Sequence, residues 1–149
     1  MKDLFYFIFC FCKIFHNQLI ISYCFTIFHY YFEGGLVREN KLADLSLDLA
    51  IRVVKMTDDI KGHYSSKNQL ERSATSIGAN IREANYAQSK ADFISKLHIS
   101  LKECYETEYW IDVLVGAGVI EEEKSRPIYN LCGTIRRILI ASINTAKNK

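Results

Sequence analysis

The stretch that decides the fold reads Arg72-Ser73-Ala74-Thr75-Ser76-Ile77-Gly78-Ala79-Asn80-Ile81-Arg82-Glu83-Ala84. Its apolar residues recur at alternating steps of four and three, which places them on one face of a helix: Leu70, Ala74, Ile77, Ile81 and Ala84. The stripe beside this face is small or polar and consists of Ser73, Ser76, Asn80, Glu83 and Ala87. A helix surface that faces water usually carries Lys and Glu, so this composition favours close contact with another helix. The stretch therefore predicts assembly rather than catalysis.

A helix is also predicted before this stretch. Its apolar residues are Leu42, Leu45, Leu49, Val53, Met56 and Ile60. Asn40 is its predicted N-cap, and Gly62 stands where a glycine commonly follows a helix end. The helix that contains the opening stretch is predicted from about Ser66 to Gln88.

Two more helices are predicted after it. Ser89 is the predicted N-cap of the third, which ends at the glycines of 116–118. The fourth begins after Ile120 with three glutamates, and Pro127 predicts either a kink or a start near Arg126. Four amphipathic helices of about 20 residues with short loops predict an all-α, antiparallel up-down-up-down four-helix bundle for residues 37–149.

Residues 1–36 differ in composition from the rest of the 149-residue chain. They hold 12 of the 19 aromatic residues and only four charged ones, although the whole chain is 24% charged. Two apolar runs are separated by Lys13 and His16, which argues against one membrane-spanning helix, and Asp3 fits a signal peptide poorly. We expect a translated upstream leader instead. A membrane segment is the alternative.

The codons around residue 33 support this interpretation. Glu33-Gly34-Gly35 can be encoded by a purine run that contains AGGAGG, the ribosome-binding consensus, and Val37 can be a GTG start codon. We therefore predict that translation begins at Val37.

The sequence offers little for catalysis. Helical bundles that bind two iron ions use Glu-x-x-His motifs, but Ser95 and Ile60 stand three residues before His98 and His63. No glycine-rich phosphate loop and no nucleophile with a spaced base can be assembled. We expect no enzyme activity, no cofactor, no metal and no small-molecule substrate.

A structural polar network is predicted between the second and third helices. Its members are Ser76, Asn80, Glu83 and Glu103. Buried polar groups must find hydrogen-bond partners, so such a network would fix the register of the two helices. A binding or catalytic role for Asn80 and Glu83 is the alternative.

Four arginines are candidate nucleic-acid contacts because they lie off the predicted core faces: Arg72, Arg82, Arg136 and Arg137. Acidic residues are interspersed with them, and the formal net charge is only +2. One protomer is therefore not expected to form a strong basic patch, whereas an oligomer would repeat these phosphate contacts.

Three segments together resemble one bacterial protein family. They are Ser76-Ile77-Gly78-Ala79-Asn80-Ile81-Arg82-Glu83-Ala84, Ser89-Lys90-Ala91-Asp92-Phe93-Ile94 and Glu106-Thr107-Glu108-Tyr109-Trp110. The chain resembles the four-helix-bundle proteins of ribosomal-RNA intervening sequences, a group that includes the accessory variability protein of diversity-generating retroelements. The resemblance covers residues 38–146.

This resemblance implies a homopentamer. The retroelement members bind nucleic acid and a reverse transcriptase, which are therefore the possible partners, and no enzyme activity carries over from the family. This chain differs from the retroelement members, which are strongly basic, because its net charge is only +2. From the resemblance we predict a cytoplasmic, non-enzymatic, oligomeric bundle that binds RNA or a ribonucleoprotein. The alternatives are a structural protein–protein module without nucleic-acid affinity and, if residues 1–36 are genuine, a membrane-tethered bundle.

Overall fold

Four α-helices make up the part of the chain that the computed structural model describes, residues 40–148. They are α1 (Lys41–Asp58), α2 (Tyr64–Ala84), α3 (Lys90–Gly116) and α4 (Glu122–Asn148). The predicted leader of residues 1–36 lies outside the described residues.

The predicted fold class is confirmed. Within residues 40–148, α2 packs against α1 and α3, and α4 packs against α3 and α1, so the helices form a closed four-helix bundle. The short loops between successive helices bring neighbours together in antiparallel order. No helix in this range is long and apolar enough to cross a lipid bilayer.

The observed starts of α3 and α4 can be compared with the starts predicted from the sequence. The hydroxyl oxygen of Ser89 accepts a hydrogen bond from the backbone N–H of Asp92 at 3.1 Å, which confirms the predicted cap of α3. Of the two alternatives predicted from Pro127, the start near Arg126 is wrong, because α4 begins at Glu122, among the glutamates that follow Ile120, and continues through Pro127. Proline lacks an N–H and therefore omits one backbone bond, but the rest of the first two turns still forms.

A sharp reversal separates α1 from α2. Gly62 has a φ of +75°, and His63 has a φ of +50° directly before α2. Helix α1 ends four residues earlier than Gly62, and α2 begins two residues before the predicted Ser66. Two successive left-handed residues turn the chain within this short loop.

The core lies along the axis of the bundle and receives side chains from all four helices. Ile77 of α2 is fully buried, as are Leu49 of α1, Cys104 of α3 and Leu139 of α4. Four residues of the apolar face predicted for the first helix are only half-buried, namely Leu42, Leu45, Met56 and Ile60. In α4 the buried residues include Cys132, Leu139 and Ile143.

Candidate functional site

The contact between α2 and α3, here called the α2–α3 seam, is built from small hydroxyl residues. The hydroxyl of Thr107 lies 3.0 Å from the Ser73 hydroxyl, and both residues are fully buried. On the same seam, the Ser100 hydroxyl donates to the backbone carbonyl of Ile77 at 3.1 Å. Because these side chains are short, the two helix backbones approach closely and each buried hydroxyl keeps a partner.

The residues of the predicted polar network lie along this seam but do not all meet. The Asn80 amide donates to the carbonyl of Ser76 at 2.9 Å and lies 3.2 Å from its hydroxyl oxygen. Glu103 reaches the Ser76 hydroxyl from α3. Glu83 is exposed and forms an ion pair with Lys96 instead. The structure therefore brings three of the four predicted residues together and places Glu83 apart from them.

The pKa of Glu103 is raised. Burial is the main cause, since it disfavours the charged carboxylate, and the nearby charge of Glu106 adds to it. Hydrogen bonding to Ser76 and the charge of Arg72 oppose the shift without cancelling it.

The contact between α3 and α4, here called the α3–α4 seam, is built around an ion pair. Arg136 Nε donates to Glu108 Oε1 at 3.1 Å, and the Glu108 side chain is only 10% exposed. The Arg136 guanidinium also lies 5.2 Å from the centre of the Tyr105 ring. The hydrogen bond to Glu108 is the main cause that raises the pKa of Arg136.

A pair of thiols lies deeper in the same seam. Cys104 and Cys132 are both free and fully buried. The Cys132 thiol lies 3.4 Å from the Cys104 backbone carbonyl and contacts the Cys104 thiol. That contact, together with burial, raises the pKa of Cys132 well above its ordinary value, so the thiol form is strongly favoured.

The four candidate arginines have different surroundings. Arg72 Nη2 lies 3.5 Å from Glu106 Oε1, and its side chain is 67% exposed. Arg136 is held by Glu108. Arg82 reaches the Gly78 carbonyl and Arg137 reaches the Thr134 hydroxyl, so each contacts a neutral group of its own helix. Within residues 40–148, no carboxylate lies at ion-pair distance from Arg82 or Arg137.

An exposed apolar stripe runs along α1 and was not predicted from the sequence. Leu47, Ile51 and Val54 are 46%, 45% and 40% exposed and recur at steps of four and three. They lie beside the predicted inner face of the same helix. Because the strongest apolar spacing in α1 belongs to the core face, a search for one face per helix misses this second stripe.

Two further properties of residues 40–148 concern metal and ligand binding. Among residues 40–148, no cluster of three or more His, Cys, Asp or Glu side chains is placed to hold a metal ion. A shallow groove of about 620 Å³ lies against the last turns of α4 and is lined mainly by apolar and small side chains: Phe93, Arg137, Ile138, Ala141, Ser142, Thr145 and Ala146.

The comparisons with known proteins place this bundle in a family. Residues 38–141 match the model of the 23S rRNA-intervening sequence protein family. This chain belongs to that family. A solved structure that also matches is a protein of unknown function from the S23 ribosomal protein family of Bacteroides thetaiotaomicron.

That structure is 44% identical to this chain and superposes with a TM-score of 0.65. The match covers 68% of this chain and 97% of the other. No protein among those with curated descriptions matches the sequence.

Proposed function

We propose that this member of the 23S rRNA-intervening sequence protein family is a non-enzymatic, oligomeric helical bundle that binds RNA or a ribonucleoprotein in the bacterial cytoplasm. The family match over residues 38–141 is the observation that carries the proposal, since its description links the family to ribosomal RNA. Ribosomal RNA is made and assembled in the cytoplasm of bacteria, which gives the proposed location.

The arginine surroundings suggest which residues contact phosphate. An arginine already paired with a carboxylate must give up that partner before it can bind phosphate. Arg82 and Arg137 contact only neutral groups among the described residues, so they bind phosphate at lower cost than Arg136. Arg72 is intermediate because its contact with Glu106 is long and exposed.

The exposed stripe on α1 supports the oligomer. Three large apolar side chains at helical spacing form a continuous apolar surface that a second copy of the chain would cover. A closed ring would repeat Arg82 and Arg137 in every protomer, and the electrostatic contribution to RNA binding grows with the number of phosphate contacts. The pentamer implied by the resemblance is the proposed assembly.

A salt titration of RNA binding tests the proposal. A labelled 23S rRNA fragment is mixed with the full-length protein, and the dissociation constant is measured by fluorescence anisotropy across a range of KCl concentrations. We expect a salt-dependent affinity. The variant with Arg82→Ala and Arg137→Ala should lower the slope of log affinity against log salt by roughly 0.7 to 0.9 for each phosphate that the protein no longer neutralises.

The matched control is a variant with Arg52→Ala and Arg126→Ala. It loses the same formal charge, but both arginines are exposed and paired with Asp48 and Glu122 of their own helices. The control should bind nearly as well as the wild type. If wild-type protein binds no RNA even at low salt, the proposal is wrong and the structural protein–protein module remains.

A further inference from the structure

The outer surface of α3 carries two exposed aromatic rings. Tyr105 is 51% exposed and Tyr109 is 59% exposed. They are four residues apart, so they lie on the same side of the helix about one turn from each other. Lys102 is also exposed and precedes Tyr105 by three residues on this side. We call Lys102, Tyr105, Tyr109 and Arg136 the aromatic face.

One cation lies against the Tyr105 ring. The Arg136 guanidinium is 5.2 Å from the ring centre, and it is paired with the nearly buried carboxylate of Glu108. Glu108 Oε1, Arg137 Nη1 and Arg136 Nη2 all lie near Gly133, because a Cβ on that glycine would be 3.7, 3.8 and 4.0 Å from them, respectively. Two guanidinium groups and one carboxylate therefore share this part of the α3–α4 seam, and the Arg137 side chain is exposed there.

We propose that the aromatic face stacks unpaired bases of single-stranded RNA, with Arg137 and Lys102 contacting the neighbouring phosphates. The inference rests on the proposed RNA binding and specifies the form of RNA that is bound. Proteins hold single strands by combining a cationic surface with aromatic side chains on which the bases stack. The bases of an A-form duplex are paired and stacked inside the helix, so exposed rings cannot reach their faces.

The stripe of α3 directly beside the aromatic face lacks this combination. There Trp110 Nε1 lies 3.4 Å from Glu106 Oε1, and Glu106 is in turn near Arg72. Glu103 lies on the same side and is turned toward Ser76. Carboxylates on this stripe would repel phosphates, and Asp112, which is exposed one turn after Tyr109, would do the same at that end of the aromatic face.

The experiment compares two probes on the full-length protein. One is a labelled single-stranded RNA of about 16 nucleotides, and the other is the same strand annealed to its complement. We expect tighter binding to the single strand. The substitutions Tyr105→Ala and Tyr109→Ala should each weaken single-strand binding about tenfold, while Tyr105→Phe and Tyr109→Phe should retain it, since phenylalanine keeps the stacking surface.

The matched control is Tyr64→Ala with Tyr86→Ala. These tyrosines are 79% and 86% exposed but lie at the ends of α2, so their removal should leave the affinity unchanged. Trp110, the single tryptophan, gives a second measurement. Its ring lies 5.1 Å from that of Tyr109, so its fluorescence should change when the single strand binds.

The outcomes separate this inference from the proposed function. Equal affinity for both probes, with no effect of the alanine substitutions, overturns the aromatic face and leaves RNA binding by the arginines intact. A loss of oligomer mass in the alanine variants, measured by native mass spectrometry, also overturns it, because the rings would then hold a protein partner. If neither probe binds at low salt, both proposals fail.

Discussion

Helix α3 packs against α2 and against α4, and different kinds of side chain form the two contacts. Toward α2, short hydroxyl side chains meet in a dry contact, as in the pair Thr107 and Ser73. Toward α4, a carboxylate and a guanidinium meet at 3.1 Å between Glu108 and Arg136, with an aromatic ring beside them.

These different side chains determine how much a substitution in each seam should change the stability of the protein. A hydrogen bond between neutral hydroxyls contributes about 1 kcal/mol net, because it replaces hydrogen bonds to water. A nearly buried carboxylate is tolerated because its charged partner is in place, so removing one partner leaves the other unpaired. The α3–α4 seam should therefore be the more fragile under substitution, although both seams close the same bundle.

The largest effect is expected at Glu108. Replacing it by alanine leaves the half-buried Arg136 guanidinium without its carboxylate and should lower the free energy of unfolding by about 2 kcal/mol. Urea denaturation followed by circular dichroism measures the change. The stability of Glu108→Gln should fall between those of the wild type and the alanine variant, since its amide oxygen can still accept the hydrogen bond.

Glu122→Ala is the control for this substitution. Glu122 pairs with Arg126 one turn away, but both side chains are 66% exposed. Its removal should change the unfolding free energy by less than about 0.5 kcal/mol. Equal effects of the two alanine substitutions would show that the α3–α4 ion pair does not differ from a surface pair.

A smaller effect is expected at Thr107 in the α2–α3 seam. Thr107→Val keeps the shape of the side chain but removes its hydrogen bonds with the Ser73 hydroxyl and the Glu103 backbone carbonyl, and should cost about 1 kcal/mol. Thr75→Val is the matched control, since Thr75 is exposed and bonds only to backbone carbonyls of its own helix. If Thr107→Val destabilises the protein more than Glu108→Ala, the contrast between the seams is reversed.

The smallest effect is expected at Glu103 and depends on pH. Its pKa is raised in the folded state by burial, so ionisation at neutral pH opposes folding. Glu103→Gln should therefore be more stable than the wild type above the folded-state pKa. The difference should shrink as pH falls and vanish below the pKa of an unfolded glutamate, about 4.3.

Thermal unfolding at several pH values measures this difference. Lys96 and Glu83 form an exposed ion pair between the same two helices, so Glu83→Gln is a useful control and should not stabilise the protein at neutral pH. A Glu103→Gln variant that is less stable than the wild type at neutral pH would contradict the expected sign of the effect.

The sequence predicts the fold well because helical spacing of apolar residues is a strong and repeated signal. All four predicted helices are present among residues 40–148, and Ser89 caps α3 as predicted. The errors lie at boundaries, where single residues mislead. Pro127 predicted a kink or a late start for α4, whereas the glutamates after Ile120 predicted the earlier start that the structure shows at Glu122.

The candidate site is harder to predict because side-chain partners come from distant parts of the chain. Arg136 looks like a surface cation in the sequence, and nothing local shows that Glu108, 28 residues earlier, holds it. Similarly, Glu83 shares a stripe with Ser76 and Asn80 but points toward Lys96 of the next helix. The exposed stripe of α1 is hard to recognise because its spacing equals that of a core face.

The buried thiols of Cys104 and Cys132 allow the rate at which the bundle opens to be measured. A thiol reagent can react with them only when α3 and α4 separate, so their labelling rate reports how often the centre of the protein is exposed to solvent. Three further cysteines lie within residues 1–36, so labelling must be followed peptide by peptide in a mass spectrometer. A ligand that binds only the folded bundle would lower the labelling rate of these two thiols, even if it did not change the structure.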